Sequence, residues 1–285
     1  MLTYAAKSDL GHDRENNEDQ FLALPEQMVW VLADGVGGQD AGEVASELVC
    51  KRIGDELSAN HSLESAIQLA HDDILNAPSQ GVGKPGMAST VVALQVHDHA
   101  YQISWVGDSR AYLWGHDRLV QISRDQSLVQ RLVDEGVISV DEAFDHPRRN
   151  MLLQAIGQEN IDKLEIDSVR ADFEEGDKII LCSDGLSDYV SEESIVEILN
   201  SSNDDQVLVD ALVAKALENQ GKDNITVVVV SLSRKAVHHT QLMSSGALNN
   251  EMMRQERWAA MIKWAPALLI VLLLLFWLFS SLGGG

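Results

Sequence analysis

STVVALQV (89–96), AYQISWVG (100–107), RAYLW (110–114) and LVQIS (119–123) follow one another with only short polar breaks between them. Each is brief and rich in Val, Ile, Tyr or Trp, with Gly, Asp and His in the breaks. That is the composition of strands. GHD (115–117) is a hairpin loop between the last two, so this block builds an antiparallel sheet. Upstream, VWVLADG (29–35) reads as a buried strand ending in a turn. Val44, Ala45, Leu48, Val49, Ile53 and Leu57 then recur at helical spacing, as do Leu63, Ala66, Ile67, Ala70 and Ile74. Downstream, helices are predicted over about 126–135, closed by Gly136, and over 139–145. KIILCS (178–183) is a buried strand, SEESIVEIL (191–199) a helix capped by Ser191, about 205–219 another helix, and NITVVVVSL (224–232) a final strand. A block of strands with helices grouped before and after it predicts an α+β domain built on antiparallel sheets.

The chain has 285 residues, with 21 Lys and Arg against 44 Asp and Glu, for a net charge of −23. Residues 234–285 carry five basic and two acidic side chains, so the negative charge is concentrated before them. A body this acidic repels phosphate backbones, and no nucleic-acid partner is expected. Two cysteines, Cys50 and Cys182, make neither a disulfide framework nor a four-thiolate zinc site, which suits a reducing cytoplasm.

The C-terminal part differs. WAPALLIVLLLLFWLFSSL (264–282) has no charge and is long enough to cross a bilayer as a helix. Trp258, Trp264 and Trp277 suit the interfaces, and Arg254, Arg257 and Lys263 precede the span as a cytoplasmic flank would. The expected organisation is therefore a domain over 1–233, a juxtamembrane linker over 234–261 and a transmembrane helix over 262–282. The domain would face the cytoplasm from the inner membrane. His238 and His239 in the linker lack a third ligand nearby in sequence and read as solvated.

The most informative pattern is where the acidic residues fall. Asp34-Gly35 ends VWVLA, Asp108 follows ISWVG, Asp184-Gly185 ends IILCS, Asp223-Asn224 precedes ITVVVV, and Glu18-Asp19 precedes FLAL. A single Asp-Gly is an ordinary turn. Six carboxylates at strand ends can instead converge along one sheet edge, where they would repel one another without cations. Hard divalent ions that take oxygen ligands, Mg²⁺ or Mn²⁺, resolve that repulsion, and a pair of them can clamp a phosphoryl group.

On these residues the chain resembles the PP2C (PPM) metal-dependent Ser/Thr protein phosphatases in their bacterial form. The motifs run in family order: SDLGHDRENNEDQ (8–20), ADGVGG (33–38), MASTVV (87–92), GDSRAYL (107–113), HPRRNMLLQAIG (146–157), LCSDGLSD (181–188) and GKDNITVVVV (221–230). The resemblance implies an α-β-β-α sandwich of two antiparallel sheets flanked by helices, with the C-terminal transmembrane helix in addition. It implies that Asp34 bridges two Mn²⁺ or Mg²⁺ ions, with the Gly35 carbonyl on one of them. Asp184 and Asp223 are implied to complete the other ion's shell, and Glu18 and Asp19 to act on the second ion, largely through water. Asp108, with Asp184, is implied for a third, weaker ion. Arg14 is implied as the residue gripping substrate phosphate, while Asn224 and the flap from about Ser139 to Asn150 shape the cleft. The implied reaction is in-line hydrolysis of phosphoserine or phosphothreonine by a metal-bridging hydroxide, without a phospho-enzyme, in opposition to a Ser/Thr kinase.

One departure from the family pattern stands out. Where eukaryotic members carry a His after the bridging Asp-Gly, thought to protonate the leaving alkoxide, this chain has Val36. His146 is a substitute by residue type, but its place beside Pro147 suits setting the flap. GVGK (81–84) fails as a phosphate-binding loop because Pro85 follows the lysine and Pro78 stands where a glycine is needed. Two further readings compete with the phosphatase: an inactive phosphoprotein-binding scaffold, and a hydrolase of small phosphoesters. A complete set of Asp34, Asp184 and Asp223 favours an enzyme over a scaffold.

Overall fold

The computed structural model describes residues 1–37, 41–159, 161 and 163–232. The predicted linker and transmembrane helix lie outside the described residues. Among the described residues no helix is long and apolar enough to cross a membrane.

Eleven strands are described, β1 (Leu2–Asp9), β2 (Asp19–Leu24), β3 (Val29–Val36), β4 (Ala88–Ser89), β5 (Val91–His97), β6 (Ala100–Val106), β7 (Arg110–Gly115), β8 (Arg118–Gln121), β9 (Asp167–Asp172), β10 (Lys178–Cys182) and β11 (Ile225–Leu232). One sheet runs β1-β11-β10-β7-β8 and the other β2-β3-β5-β6-β9, with β4 on β3. The strand pairings named within both sheets are antiparallel. Helices α1 (Ala41–Ser58) and α2 (Leu63–Asn76) cover one sheet. Short helices α3 (Leu128–Asp134), α4 (Val140–Phe144) and α5 (Asp184–Ser187) lie toward the site, and α6 (Glu192–Ser201) and α7 (Asp205–Glu218) cover the other sheet.

The layering follows from the period-2 geometry of single strands. In β3, Val29, Val31 and Ala33 pack with Ala45, Val49, Ile53 and Ile67 of the first helical layer. Trp30 and Leu32, alternating with them, pack across the sandwich with Ile179, Leu181, Val228 and Val230. Ile180, Cys182, Val227 and Val229 face the opposite way onto Leu208, Leu212 and Val213 of α7. Strands buried on both faces are continuously apolar, which is why VWVLA and ITVVVV are legible as core strands.

The predicted elements fall into place with local adjustments. The hairpin at GHD narrows to His116 and Asp117, both with positive φ (51° and 57°), the geometry of a two-residue turn matched to strand twist. Ser191 accepts from Ser194 N as the cap of α6, and Ser139 forms a reciprocal capping box with Glu142 at the start of α4. The predicted strand 89–96 breaks at Thr90, where Thr90 N turns to donate to the Asp34 carbonyl at 2.8 Å. The strand predicted over 119–123 ends at Gln121, because Ile122 N and Ser123 N both donate to the Ala111 carbonyl.

Candidate active site

Antiparallel pairing puts the acidic strand ends on one side of the sandwich. Asp19 at the start of β2 lies opposite Asp34 at the end of β3 in register. In the other sheet, Cys182 at the end of β10 is near the start of β11, paired with Val227. Asp184 leaves the first of these strands and Asp223 enters the second. Val106, two residues before Asp108, pairs with Val91 at the beginning of β5. The expected convergence of carboxylates is therefore a consequence of strand direction.

The backbone around Asp34 is fixed from three sides. Asp34 N donates to Thr90 Oγ1 at 3.1 Å, and the Asp34 carbonyl accepts from Ser89 Oγ at 2.9 Å as well as from Thr90 N. Gly35 N donates to the Glu18 carbonyl at 3.0 Å. A Cβ on Gly35 would lie 2.1 Å from the Gly42 carbonyl oxygen, so only glycine lets α1 begin against this turn. Asn224, 3% exposed, ties the remaining loops together. Its Oδ1 accepts from Glu18 N at 2.8 Å, and its Nδ2 donates to the carbonyls of Leu10 (3.0 Å) and Asn16 (3.1 Å). Asn224→Ala strands one donor and two acceptors that were satisfied in the interior. It is expected to cost about 2–3 kcal/mol, read as a lowered denaturation midpoint at unchanged slope.

Burial and crowding set the protonation of the cluster. Burial first, then Asp19, Asp184 and Asp108, hold the Asp34 carboxyl well above the ordinary carboxylate range. Asp184 is raised in the same way by burial and then by Asp108. Asp19 is pushed up to about 7 by burial, although Ser183 Oγ donates to its Oδ2 at 2.7 Å. Asp108 is pushed up to about 7, again mainly by burial. Arg14, largely exposed, reaches into this group: Nη2 donates to Asp223 Oδ2 at 2.8 Å and Nη1 to Glu18 Oε2 at 3.4 Å. Its guanidinium therefore sits at the entrance, where a phosphate would meet it, engaged by two of the predicted metal ligands.

Two oxygens decide what the cluster can hold. Asp19 Oδ1 and Asp184 Oδ1 are buried with no hydrogen-bond partner among the described residues. Buried carboxylate oxygens cost several kcal/mol unless a proton or a cation satisfies them. Among the described residues, no three His, Cys, Asp or Glu side chains close on one point as a ready-made cage. Mg²⁺ and Mn²⁺ do not need one, since they bind through one or two carboxylates completed by carbonyls and waters. An all-oxygen donor set with two unsatisfied carboxyl oxygens fits such ions and does not suit soft metals.

Next to the carboxylates lies a cavity of about 330 Å³ lined by Asp108, Asp184, Asp188, Arg110, Phe144 and Arg149 among others. Its far wall is α3 together with the predicted flap, α4 and the turn that follows it. His146 accepts from Arg148 N through Nδ1 at 3.2 Å, a turn-setting role. Three participants were not assigned from the sequence. Asp188 pairs with Arg149 at 3.2 Å and is raised, chiefly by burial. Asp125 takes Arg110 in a forked contact, with Nη2 at 2.7 Å and Nε at 3.0 Å. Thr90 supports Asp34. Asp188 and Thr90 lie within LCSDGLSD and MASTVV, and Asp125 pairs with the arginine of GDSR, but a residue that braces another leaves no mark distinguishable from an ordinary polar position. Cys182 is fully buried and its thiol pushed up to about 12 by burial, which makes it a core group and no nucleophile. Val36 is exposed at the mouth, so no ionisable side chain stands at that position.

The two antiparallel sheets thus carry a carboxylate cluster, with an arginine at its entrance, along one edge. The sequence profile described as Protein phosphatase 2C matches residues 11–220. The chain belongs to the protein phosphatase 2C family, the PP2C-type serine/threonine protein phosphatases. It is 37% identical over 262 residues to the serine/threonine protein phosphatase PstP of Mycobacterium tuberculosis, covering 88% of this chain and 49% of that protein. The chain thus spans about half the length of that relative. It is 36% identical to the serine/threonine phosphatase stp of Listeria innocua, over 79% of this chain and 93% of that one. The crystal structure of the PstP catalytic domain in complex with two manganese ions superposes with a TM-score of 0.73 at 34% identity, covering 82% of this chain and 99% of that one.

Proposed function

We propose that this chain is a Mn²⁺- or Mg²⁺-dependent phosphatase of phosphoserine and phosphothreonine in proteins. The observation that carries the reading is the pair of unsatisfied buried oxygens, Asp19 Oδ1 and Asp184 Oδ1, in a cluster of like charges. Asp34, the Gly35 carbonyl, Asp184 and Asp223 hold the ions, with Glu18 and Asp19 on the second ion's side and Asp108 with Asp184 offering a weaker third place. When bound, the ions supply charge against the phosphoryl oxygens and acidify a water. The chain's own residues do the rest. Arg14 exchanges its contacts with Asp223 and Glu18 for two phosphate oxygens and orients phosphorus for in-line attack. Thr90 and Ser89 keep the Asp34 backbone from moving as charge shifts. With Val36 beside the bridging Asp-Gly, the leaving alkoxide takes its proton from water, and the pH profile carries no histidine limb. Phosphate release from a phosphothreonine peptide and from a small alkyl phosphate separates a protein phosphatase from a general phosphoesterase. The first is expected to have the higher kcat/KM by at least about tenfold, and equal values would contradict the proposal.

The same proposal places the domain at the cytoplasmic face of the membrane, opposing a Ser/Thr kinase. The support is the charge-free run 264–282 behind Arg254, Arg257 and Lys263. A linker confines the domain near membrane-bound substrates and raises their effective concentration. Removing 258–285 is expected to leave the rate on a soluble phosphopeptide unchanged. In cells it should slow dephosphorylation of membrane-bound phosphoproteins by about tenfold or more. Unchanged phosphorylation of those proteins would refute the tether.

A further inference from the structure

Of the histidines among the described residues, only His71 is buried, at 6% exposure. It lies on α2, in the helical layer, and the reaction described above makes no use of it. Burying an imidazole costs free energy that an apolar side chain on the same helix face would not. The hydrogen bond it makes there is with the backbone: Gly157 N donates to His71 Nδ1 at 3.0 Å. Burial holds its pKa below the usual imidazole value, with Asp72 acting the other way. The ring is therefore neutral at pH 7, with Nδ1 as the acceptor and its proton on Nε2.

Gly157 ends HPRRNMLLQAIG (146–157), and its segment is bonded toward two of the aspartate turns. Ser89 pairs with Gly35 on one side and with Ile156 on the other. Ile156 N donates to the Ser89 carbonyl at 2.7 Å, Ser89 N to the Ile156 carbonyl at 2.9 Å, and Ser89 Oγ to the Asp34 carbonyl. Two residues before Ile156, Gln154 Nε2 donates to Gln126 Oε1 at 2.9 Å. The same oxygen accepts at 2.8 Å from the N–H of Gly107, the residue before Asp108. At Gly157 the segment lies hard against α2. Its φ is 85°, and a Cβ there would fall 2.1 Å from Ile74 Cγ2. His71, three residues before Ile74 on the same helix, pins that approach through the Gly157 N–H.

We propose that His71 is a positioning residue for the carboxylate cluster, holding Gln154–Gly157 where that segment braces the turns of Asp34 and Asp108. This rests on the metal-dependent reading of the cluster. Without the imidazole, Gly157 N is a buried donor with no acceptor, and the segment must shift to satisfy it. Such a shift reaches Asp34 through Ser89, and Asp108 through Gln126 and Gly107. Carboxylates that hold an ion depend on the groups that orient them, so ion affinity is the quantity that registers the change.

The test is Mn²⁺ binding to the chelator-stripped full chain by titration calorimetry, with the denaturation midpoint measured alongside. His71→Ala is expected to raise the Mn²⁺ Kd by about tenfold, the lower end of what losing such support costs. His71→Asn places its Oδ1 where Nδ1 stands and should restore most of the affinity. His71→Gln carries its amide to the Nε2 position instead and should bind as weakly as His71→Ala. Ile67→Val, one turn earlier on α2, trims a fully buried side chain and should lower the midpoint without changing the Kd. If His71→Ala does not fold, the contrast between the Asn and Gln variants decides. An unchanged Kd in folded His71→Ala, equal Kd values in His71→Asn and His71→Gln, or an Ile67→Val chain that binds Mn²⁺ as weakly as His71→Ala would overturn the positioning role and leave the metal-dependent reading intact. Failure of the parent chain to bind Mn²⁺ would overturn both.

Discussion

Asp184→Asn is expected to lower kcat on a phosphothreonine peptide by about a thousandfold, a loss of the size seen when preorganised charge at a reacting centre is removed. The amide is the same size as the carboxylate, so the path from β10 into α5 stays filled. Gly185 still fits against the Asn224 carbonyl, where a Cβ would stand only 2.0 Å away. Substitution also removes one member of a like-charged group that includes Asp108, Asp188, Asp223 and Asp19. The variant should therefore be folded, and without divalent ions at neutral pH no less stable than the parent. An inactive but unfolded variant would not support the assignment, so the denaturation midpoint is measured alongside kcat. Retention of more than about a tenth of the activity in a folded variant would remove Asp184 from the site.

The second large effect is the dependence of stability on pH and on divalent ions. Asp19 and Asp108, pushed up to about 7, bind their protons more tightly in the folded chain than in the unfolded one, where the value is about 4. Stability in the presence of a chelator is then greatest below about pH 4 as far as these groups are concerned. It falls as pH rises toward 7 and levels off above it, because ionising them costs more in the folded state. Asp34 and Asp184, raised further, extend the decline upward in pH. Mn²⁺ gives the ionised oxygens a partner and should reverse the trend near neutrality. At a hundred times its dissociation constant, the ion adds about 2.7 kcal/mol. For a domain of this size that is about 5–10 °C in Tm. The shift should be largely absent in Asp184→Asn. Thermal melts with and without Mn²⁺ from pH 5 to 8 measure it, and a pH-independent Tm in chelator would contradict the account.

Both effects come from residues that the sequence made visible, and the reason is physical. Core strands of a two-layer sandwich are apolar on both faces, so β3, β10 and β11 stand out, and a carboxylate at the end of such a strand has few reasons to be there. Two edge strands are not visible in the sequence. β9 (Asp167–Asp172) is exposed at every position, and β1 (Leu2–Asp9) buries only Ala5, so neither shows alternation. Their pairing is dictated by the partner strands, β6 and β11. The bracing residues stayed hidden for a related reason. Asp125, Asp188 and Thr90 act through contacts with residues far away in sequence, and Asp188 lies in a helical turn where an acidic residue is unremarkable. In the sequence α5 reads as a turn, because four residues carry no periodicity. The break at Thr90 likewise depends on the Asp34 carbonyl, a partner fifty-six residues away.

The Arg14 contacts refine one expectation. A phosphate-gripping arginine read from sequence is a free fork, whereas here it is already shared between Asp223 and Glu18. Those two carboxylates keep the guanidinium at the mouth, and under the proposed function their recruitment by cations would free it for substrate. Under that proposal, ion binding and phosphate binding would be linked through one side chain.

The most direct test of the metal-dependent phosphatase is phosphate release by the full chain from a phosphothreonine peptide. The protein is first stripped with chelator and then titrated with Mn²⁺ or Mg²⁺, beside the matching phosphotyrosine peptide. The account predicts no release in chelator, saturable return of activity with either ion, and a strong preference for phosphothreonine. Undiminished release in chelator, or none from folded chain saturated with Mn²⁺, would contradict it.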